Sequence, residues 1–283
     1  MSGNGNDASR CDDQMNDNSD ASSFAILYTN AQSLVNKIDE LKVLVNINSP
    51  DIIVITESWT NDSVSDEYLN VGVYDIIERR GRNDTDKGRG GGVLIYARKD
   101  MYARKDMYAW KEVINTSFNQ CGAIRIKSKR GELTICAVYR SPNSTKTNDD
   151  ELCEWIEEMR GTYMILGNFN FPDIRWKTGS ARAKGRRFLE TTKNKFLIQH
   201  VEIETHNSGN TFDLILTNKE NTVSDVEMIG KLGKSDHHTL MCTVEIGTKR
   251  TSDKKKVRDY RRASLYRYGN VNRLTHRNGW TVK

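Results

Sequence analysis

Several short apolar runs of this sequence end, or begin, on residues that could do chemistry together. ILYTN ends at Asn30, IIVITE at Glu57, CAVYR carries Tyr139, and YMILGNFN holds Asn168 and Asn170. Asp213 opens FDLIL, and Ser235-Asp236-His237 stands just before a further apolar run. A carboxylate beside a buried strand is costly unless it is paired or metal-bound, so several converging at one sheet edge point to a cation site. Each residue alone has a plainer reading. Asn30 can cap a following helix, Glu57 can be a solvated strand end, and Asp213 can pair with an arginine. Asn168 and Asn170 can be turn residues ahead of Pro172, and His237 can be structural. The set carries the information.

The elements that must position these residues follow from hydrophobic pattern. Runs of four to eight residues rich in Ile, Val, Leu and Tyr predict strands at 24–29, 51–56, 91–97, 122–128, 133–139, 163–167, 212–217, 223–229 and 239–246. Leu34, Ile38, Leu41, Leu44 and Val45 recur at helical spacing and stop before Pro50, which predicts one helix; two more are predicted at 149–160 and 181–194. Mixed strands with few helices predict a single domain of two packed sheets with helices outside, not a strictly alternating doubly wound fold.

Seven segments in order resemble the endonuclease domain of LINE-type (non-LTR) retrotransposons, within the endonuclease/exonuclease/phosphatase superfamily. They are TNAQSL (29–34), PDIIVITESW (50–59), GRGGGVLIYA (88–97), AVYRSPN (137–143), GNFNFPDIRW (167–176), FDLILTN (212–218) and KSDHHTL (234–240). The resemblance spans residues 24–248. It implies an α/β four-layer sandwich of the DNase I-like kind, two central mixed sheets flanked by helices, with Mg²⁺ (or Mn²⁺) at the sheet ends and DNA as substrate. It implies metal-binding roles for Glu57 and Asn30, and phosphate contacts from Tyr139 and Asn170. His237 would bind the scissile phosphate, oriented by the adjacent Asp236, and Asp213 would be a further active-site aspartate. The reaction implied is in-line attack by water, leaving a 3′-hydroxyl that primes reverse transcription and a 5′-phosphate.

One position departs from the family's Gly-Asp-Phe-Asn: here Asn168 stands where the family has the aspartate that orients the attacking water and takes its proton. An amide cannot serve as a base at physiological pH. The expectation is a nuclease with impaired chemistry. The alternatives are a non-catalytic nucleic-acid-binding remnant, or a superfamily relative acting on a small phosphoester. The length leaves no room for a reverse transcriptase, which suits a truncated copy of an element.

The rest of the chain bounds these readings. At 36% hydrophobic and 29% charged, with no apolar run of membrane-spanning length, the composition is that of a globular protein with no membrane partner, and no secretory signal opens it. A nuclear or cytoplasmic site is expected, with no small-molecule cofactor. Five cysteines without a CxxC pair predict reduced thiols. Residues 1–23 are too polar to order themselves and are expected to be disordered. Residues 249–283 hold twelve Lys or Arg against two Asp, interleaved with Tyr260, Tyr266, Tyr268 and Trp280. That tail reads either as a non-specific DNA-binding segment or as a solvated linker, and its basic cluster as a nuclear-import signal. Arg79, Arg80, Arg82, Lys87 and Arg89 surround the glycines at 88–92, as a basic loop against DNA or a plain hairpin. Finally, YARKDM is written twice over 96–107. Its six residues preserve strand alternation, so a lengthened strand or hairpin tip is expected there.

Overall fold

The computed structural model describes residues 21–81 and 90–247. The expectations for residues 1–20, for Arg82, Lys87 and Arg89, and for the tail from 249 onward lie outside those residues. Among these described residues fourteen strands and four α-helices follow in chain order. The first half runs β1 (Ala21–Asn30), α1 (Ile38–Asn48), β2 (Ile52–Thr56), β3 (Tyr74–Arg80), β4 (Val93–Arg98), α2 (Met101–Lys105), β5 (Tyr108–Glu112), β6 (Cys121–Ser128) and β7 (Gly131–Tyr139). The second runs α3 (Lys146–Glu158), β8 (Tyr163–Asn168), β9 (Ile174–Arg175), β10 (Ser180–Ala181), α4 (Arg186–Asn194), β11 (Ile198–Gln199), β12 (Asp213–Thr217), β13 (Val223–Gly230) and β14 (Thr239–Gly247).

Two six-stranded sheets result, in the orders β13-β14-β1-β2-β4-β3 and β11-β12-β8-β7-β6-β5, with β9 and β10 as a separate hairpin. Alternation along each strand divides its side chains between two layers. In β1, Ile26 and Tyr28 enter the core between the sheets, while Leu27 faces Leu34, Leu41 and Val45 on the helix side. Sheet two is covered in turn by α3 and α4 through Leu152, Trp155, Ile156, Phe188 and Leu189. This is the four-layer α/β sandwich. It explains why β2, β4, β8 and β12 are apolar almost throughout: with both faces covered, no position along them is free to be polar.

All nine expected strands form, some longer than read. The first begins at Ala21, so residues 21–23, expected to be disordered, pair with Glu245–Gly247 of β14. The tandem copy does not lengthen a strand. The first YARKDM finishes β4 and enters a turn, whereas the second supplies α2 and the passage to β5. Both methionines, Met101 and Met107, are buried between the sheets. Arg104 and Lys105 of the second copy reach the nearly buried Asp51 carboxylate at 3.2 and 3.4 Å. The duplicated residues are thus held by core packing and ion pairs.

The topology also decides where the sheet ends lie. β1 runs parallel to β2, and β7 parallel to β8, so Asn30, Glu57, Tyr139 and Asn168 emerge at their carboxyl ends. β12 is antiparallel to β8 with Asp213 opposite Asn168, and β14 is antiparallel to β1 with Leu240 opposite Tyr28. The starts of β12 and β14 therefore share the edge where the other four strands finish.

Candidate active site

At that edge a cleft of about 380 Å³ is lined by Gln32, Glu57, Tyr139, Pro142, Asn170, Pro172, Lys184, His206, Phe212 and His237. Asn30, Asn168 and Asp213 stand fully buried behind it.

Glu57 follows β2 with φ at +50°, a left-handed conformation that turns its carboxylate out of the strand direction. Its Oε1 accepts from Asn30 Nδ2 at 3.0 Å, and its Oε2 from Trp59 Nε1 at 3.3 Å. Asn30 does not cap a helix. Its Oδ1 accepts from the Gln32 amide at 3.1 Å and its Nδ2 fixes the carboxylate.

Opposite Glu57 lies a buried polar network. Asp213 Oδ2 accepts from His237 Nδ1 at 2.7 Å, which assigns the proton to Nδ1. Asp213 Oδ1 accepts from the Tyr28 hydroxyl at 2.6 Å and from Asn168 Nδ2 at 3.1 Å. Among the described residues no arginine pairs with it. Tyr28, also bonded to Thr56 Oγ1 at 2.9 Å, is wholly buried; desolvation first, and the neighbouring Asp213 charge second, push its hydroxyl well above its ordinary value. It stays a neutral donor. The His206 ring packs edge-on against His237 with centroids 4.6 Å apart, and desolvation followed by the His237 charge holds His206 below the usual histidine range.

The expected orienting role of Asp236 does not hold. Its carboxylate accepts from Asn207 Nδ2 at 3.0 Å, and its amide donates to Gln32 Oε1 at 2.9 Å. Asp236 lies in a bend before β14, where its carboxylate is held by Asn207 and its amide by Gln32, away from the imidazole. Asp213, opposite Asn168 in the ladder, reaches the ring instead.

Asn168 sits among Asp213 and His237, its Nδ2 lying 3.2 Å from His237 Nδ1. Its Oδ1 is buried and has no hydrogen-bond partner among the described residues. The amide is satisfied on its donor side, through Asp213, and not on its acceptor side. Gly167 before it has no room for a side chain, since a Cβ there would fall 1.9 Å from the Val138 carbonyl oxygen.

Asn170, at φ +49°, donates to the Arg140 carbonyl at 2.8 Å. The Arg140 side chain, 1% exposed, closes the loop from beneath. Its guanidinium is bidentate to Asp149 at 2.6 and 2.8 Å, donates to the Asn170 carbonyl at 2.9 Å, and stacks 3.9 Å over the Phe171 ring. Sequence reasoning missed Arg140; the available signal was an arginine ending a strand with an aspartate in the first turn of the next helix. It also missed Gln32 and gave Ser235 no role of its own; the two tie the first motif to the last through Ser235 Oγ on the Asn30 carbonyl at 2.8 Å and Gln32 Oε1 on the Asp236 amide at 2.9 Å. Lys184 and His206, likewise unforeseen, complete the wall.

A divalent cation fits this donor set. Mg²⁺ takes one or two carboxylates and keeps several waters. Glu57 supplies one such carboxylate at the cleft, already oriented by Asn30 and Trp59. Among the described residues no group of three or more His, Cys, Asp or Glu could hold an ion by protein atoms alone. Nor is any described helix long and apolar enough to cross a membrane.

Comparison with known proteins bears on this geometry. Residues 133–241 match the family model described as endonuclease-reverse transcriptase. No curated protein matches the sequence. Among solved structures, the endonuclease domain of TRAS1, a telomere-specific non-LTR retrotransposon, matches with a TM-score of 0.60 at 12% identity, over 80% of this chain and 100% of that one. The 3′ phosphatase NExo from Neisseria, bound to a product DNA hairpin, matches with a TM-score of 0.57 at 15% identity, over 77% and 98%. AP endonuclease LMAP from Leishmania major matches with a TM-score of 0.57 at 10% identity, over 78% and 87%. The family match over residues 133–241 bears out the resemblance read from the motifs, and the solved structures share the four-layer α/β fold.

Proposed function

We propose that this chain is a divalent-metal-dependent phosphodiesterase domain that nicks DNA, with its chemistry slowed by Asn168. The observation that carries the proposal is the cleft itself: Glu57, Tyr139, Asn170 and His237, up to 180 residues apart in the chain, line one wall-to-wall opening. Glu57 and Asn30 would hold Mg²⁺, or Mn²⁺ in its place. When bound, the ion would offset negative charge building on a phosphoryl oxygen.

The chain's own residues account for the rest. The substrate phosphate sits against His237, Tyr139 and Asn170. Asp213 keeps a proton on His237 Nδ1 and fixes the orientation of the ring. Asn170 has a second amide hydrogen beyond the one bound to the Arg140 carbonyl, and it donates to phosphate. A water oxygen adds to phosphorus in line while the bond to the 3′ oxygen breaks; one proton stays with the 5′-phosphate and the other reaches the 3′ oxygen as hydroxyl. Asn168 can hydrogen-bond the attacking water but cannot accept its proton, a deficit worth about 10² to 10⁴ in rate. Nicking of supercoiled plasmid by this chain and by Asn168→Asp tests the proposal; equal rates would remove the base from position 168.

The same observation favours a second reading, a nucleic-acid-binding module without turnover. DNA binding that falls steeply with salt, with no nicking even by Asn168→Asp, would select it.

A further inference from the structure

The segment just beyond Asn170 leaves the cleft as a hairpin and helix start whose charge the chemistry does not use. Residues 171–187 hold six Lys or Arg against one Asp. Pro172 and Lys184, at the two feet of this hairpin, line the catalytic cleft. One step further out, Asp173, Arg175, Thr178, Ser180, Ala181 and Arg182 line a separate recess of about 440 Å³.

The frame is rigid. β9 and β10 pair Ile174 with Ala181 and Arg175 with Ser180. Ile174 is buried, and Phe171 and Trp176 pack on Phe188 of α4, with ring centroids 4.9 and 6.4 Å away. Asp173, the one acid, turns into the frame: its Oδ2 accepts from the Gly185 amide at 3.0 Å. Its charge still belongs to the recess and subtracts from it, leaving two guanidiniums against one carboxylate.

The cations are not committed elsewhere. Among the described residues, Arg175, Lys177, Arg182, Lys184 and Arg186 donate no side-chain hydrogen bond and enter no ion pair, in contrast to Arg187, which meets Asp150 at 2.7 Å. Residues 21–247 carry a net charge of −1, from the +5 of the whole chain less −4 for residues 1–20 and +10 for residues 248–283; residues 171–187 account for +5 of it, so this is a local concentration of positive charge on a body otherwise at −6. Unpaired cations on a fixed hairpin that begins inside a phosphodiester cleft suit a strand of regularly spaced phosphates.

We propose that residues 172–187 are a second phosphate-binding surface, which holds the backbone of duplex DNA where it leaves the cleft past Lys184, with Arg175 and Arg182 on phosphates distant from the reacting one. This rests on the DNA-nicking reading above.

The test is the full chain carrying Arg175→Gln, Lys177→Gln and Arg182→Gln together, none of which lines the cleft. Binding to a fluorescent 30-bp duplex is measured by anisotropy from about 50 to 200 mM salt, where each phosphate contact contributes about 0.9 to the slope of log affinity against log salt. A control triple, Lys42→Gln, Lys99→Gln and Lys127→Gln, removes the same charge from other surfaces, and thermal unfolding checks that both variants fold. The expected result is a slope shallower by about 2 and affinity roughly tenfold weaker for the hairpin triple, with the control close to the parent. An unchanged slope, or equal loss in both triples, overturns the hairpin surface while leaving the cleft reading standing. A parent chain that binds no duplex overturns both.

Discussion

Removing the Arg140 side chain with Arg140→Met leaves a hydrocarbon of similar reach over Phe171 but strips five hydrogen bonds. Asp149, with a side chain 17% exposed, would lose its bidentate partner, and the Phe169 and Asn170 carbonyls would lose donors at 3.3 and 2.9 Å. Breaking one side of a buried ion pair costs about 3–5 kcal/mol. Because Asp149 retains some contact with water, the lower figure, about 3 kcal/mol, is expected. For a domain of this size that is a Tm lower by roughly 6–12 °C. Calorimetry on the single variants, and on Arg140→Met with Asp149→Leu, isolates the pair. The double variant should recover much of the loss, since replacing a whole buried pair by apolar groups is often near neutral. The loop holding Asn170 would still lack its tether, so DNA turnover should stay low even where stability returns. A single variant within about 1 °C of the parent, or a double variant that loses the sum of the two singles, would refute the clamp.

Three further outcomes follow from the buried polar groups. Tyr28→Phe leaves Asp213 Oδ1 with Asn168 alone, and should cost about 1–3 kcal/mol in urea unfolding while lowering turnover in an Asn168→Asp background; no change in either would disconnect Tyr28 from the site. Desolvation lowers His200 from 6.5 to about 4, so the folded chain keeps it neutral where the unfolded chain protonates it. Its contribution is complete above pH 6.5 and is lost as pH falls toward 4, at most about 3 kcal/mol, and His200→Gln should flatten stability across that window. Burial raises the thiols of Cys121 and Cys242 to about 12 and of Cys153 to about 11, with Cys136 pushed up as well. None of these four should react with iodoacetamide at pH 8 until the protein unfolds, as peptide mapping would show.

How much of this was visible in the residues follows from their environments. Nine strands could be read because both faces of the central ones are covered, which forces nearly unbroken apolar runs. β3 and β5 escaped because edge strands need not be apolar: Tyr74–Arg80 carries three charges before its end, and Tyr108–Glu112 exposes most of its side chains. α2 was hidden by identity, the same six residues being strand and turn in one copy and helix in the next. The candidate site residues were legible as polar ends of apolar runs, since parallel pairing sends those ends to one edge. Their partners were not. Whether Asp213 or Asp236 meets His237 depends on ladder register, and a buried Arg140 takes its meaning from Asp149 on another element.

The central claim is that this cleft cleaves phosphodiesters and that position 168 limits it. In the revertant, two carboxylates would stand about 3.1 Å apart, where their repulsion is about 5 kcal/mol at an effective dielectric of 20, so Asn168→Asp should be less stable than the parent. It should nonetheless be the better enzyme. The direct measurement is the initial rate of supercoiled-plasmid nicking in Mg²⁺ for the parent, Asn168→Asp, and Asn168→Asp with His237→Ala. A rise of about 10² or more on reversion is expected, abolished when His237 is removed. A parent that nicks as fast as the revertant, or a revertant indifferent to His237, would contradict it.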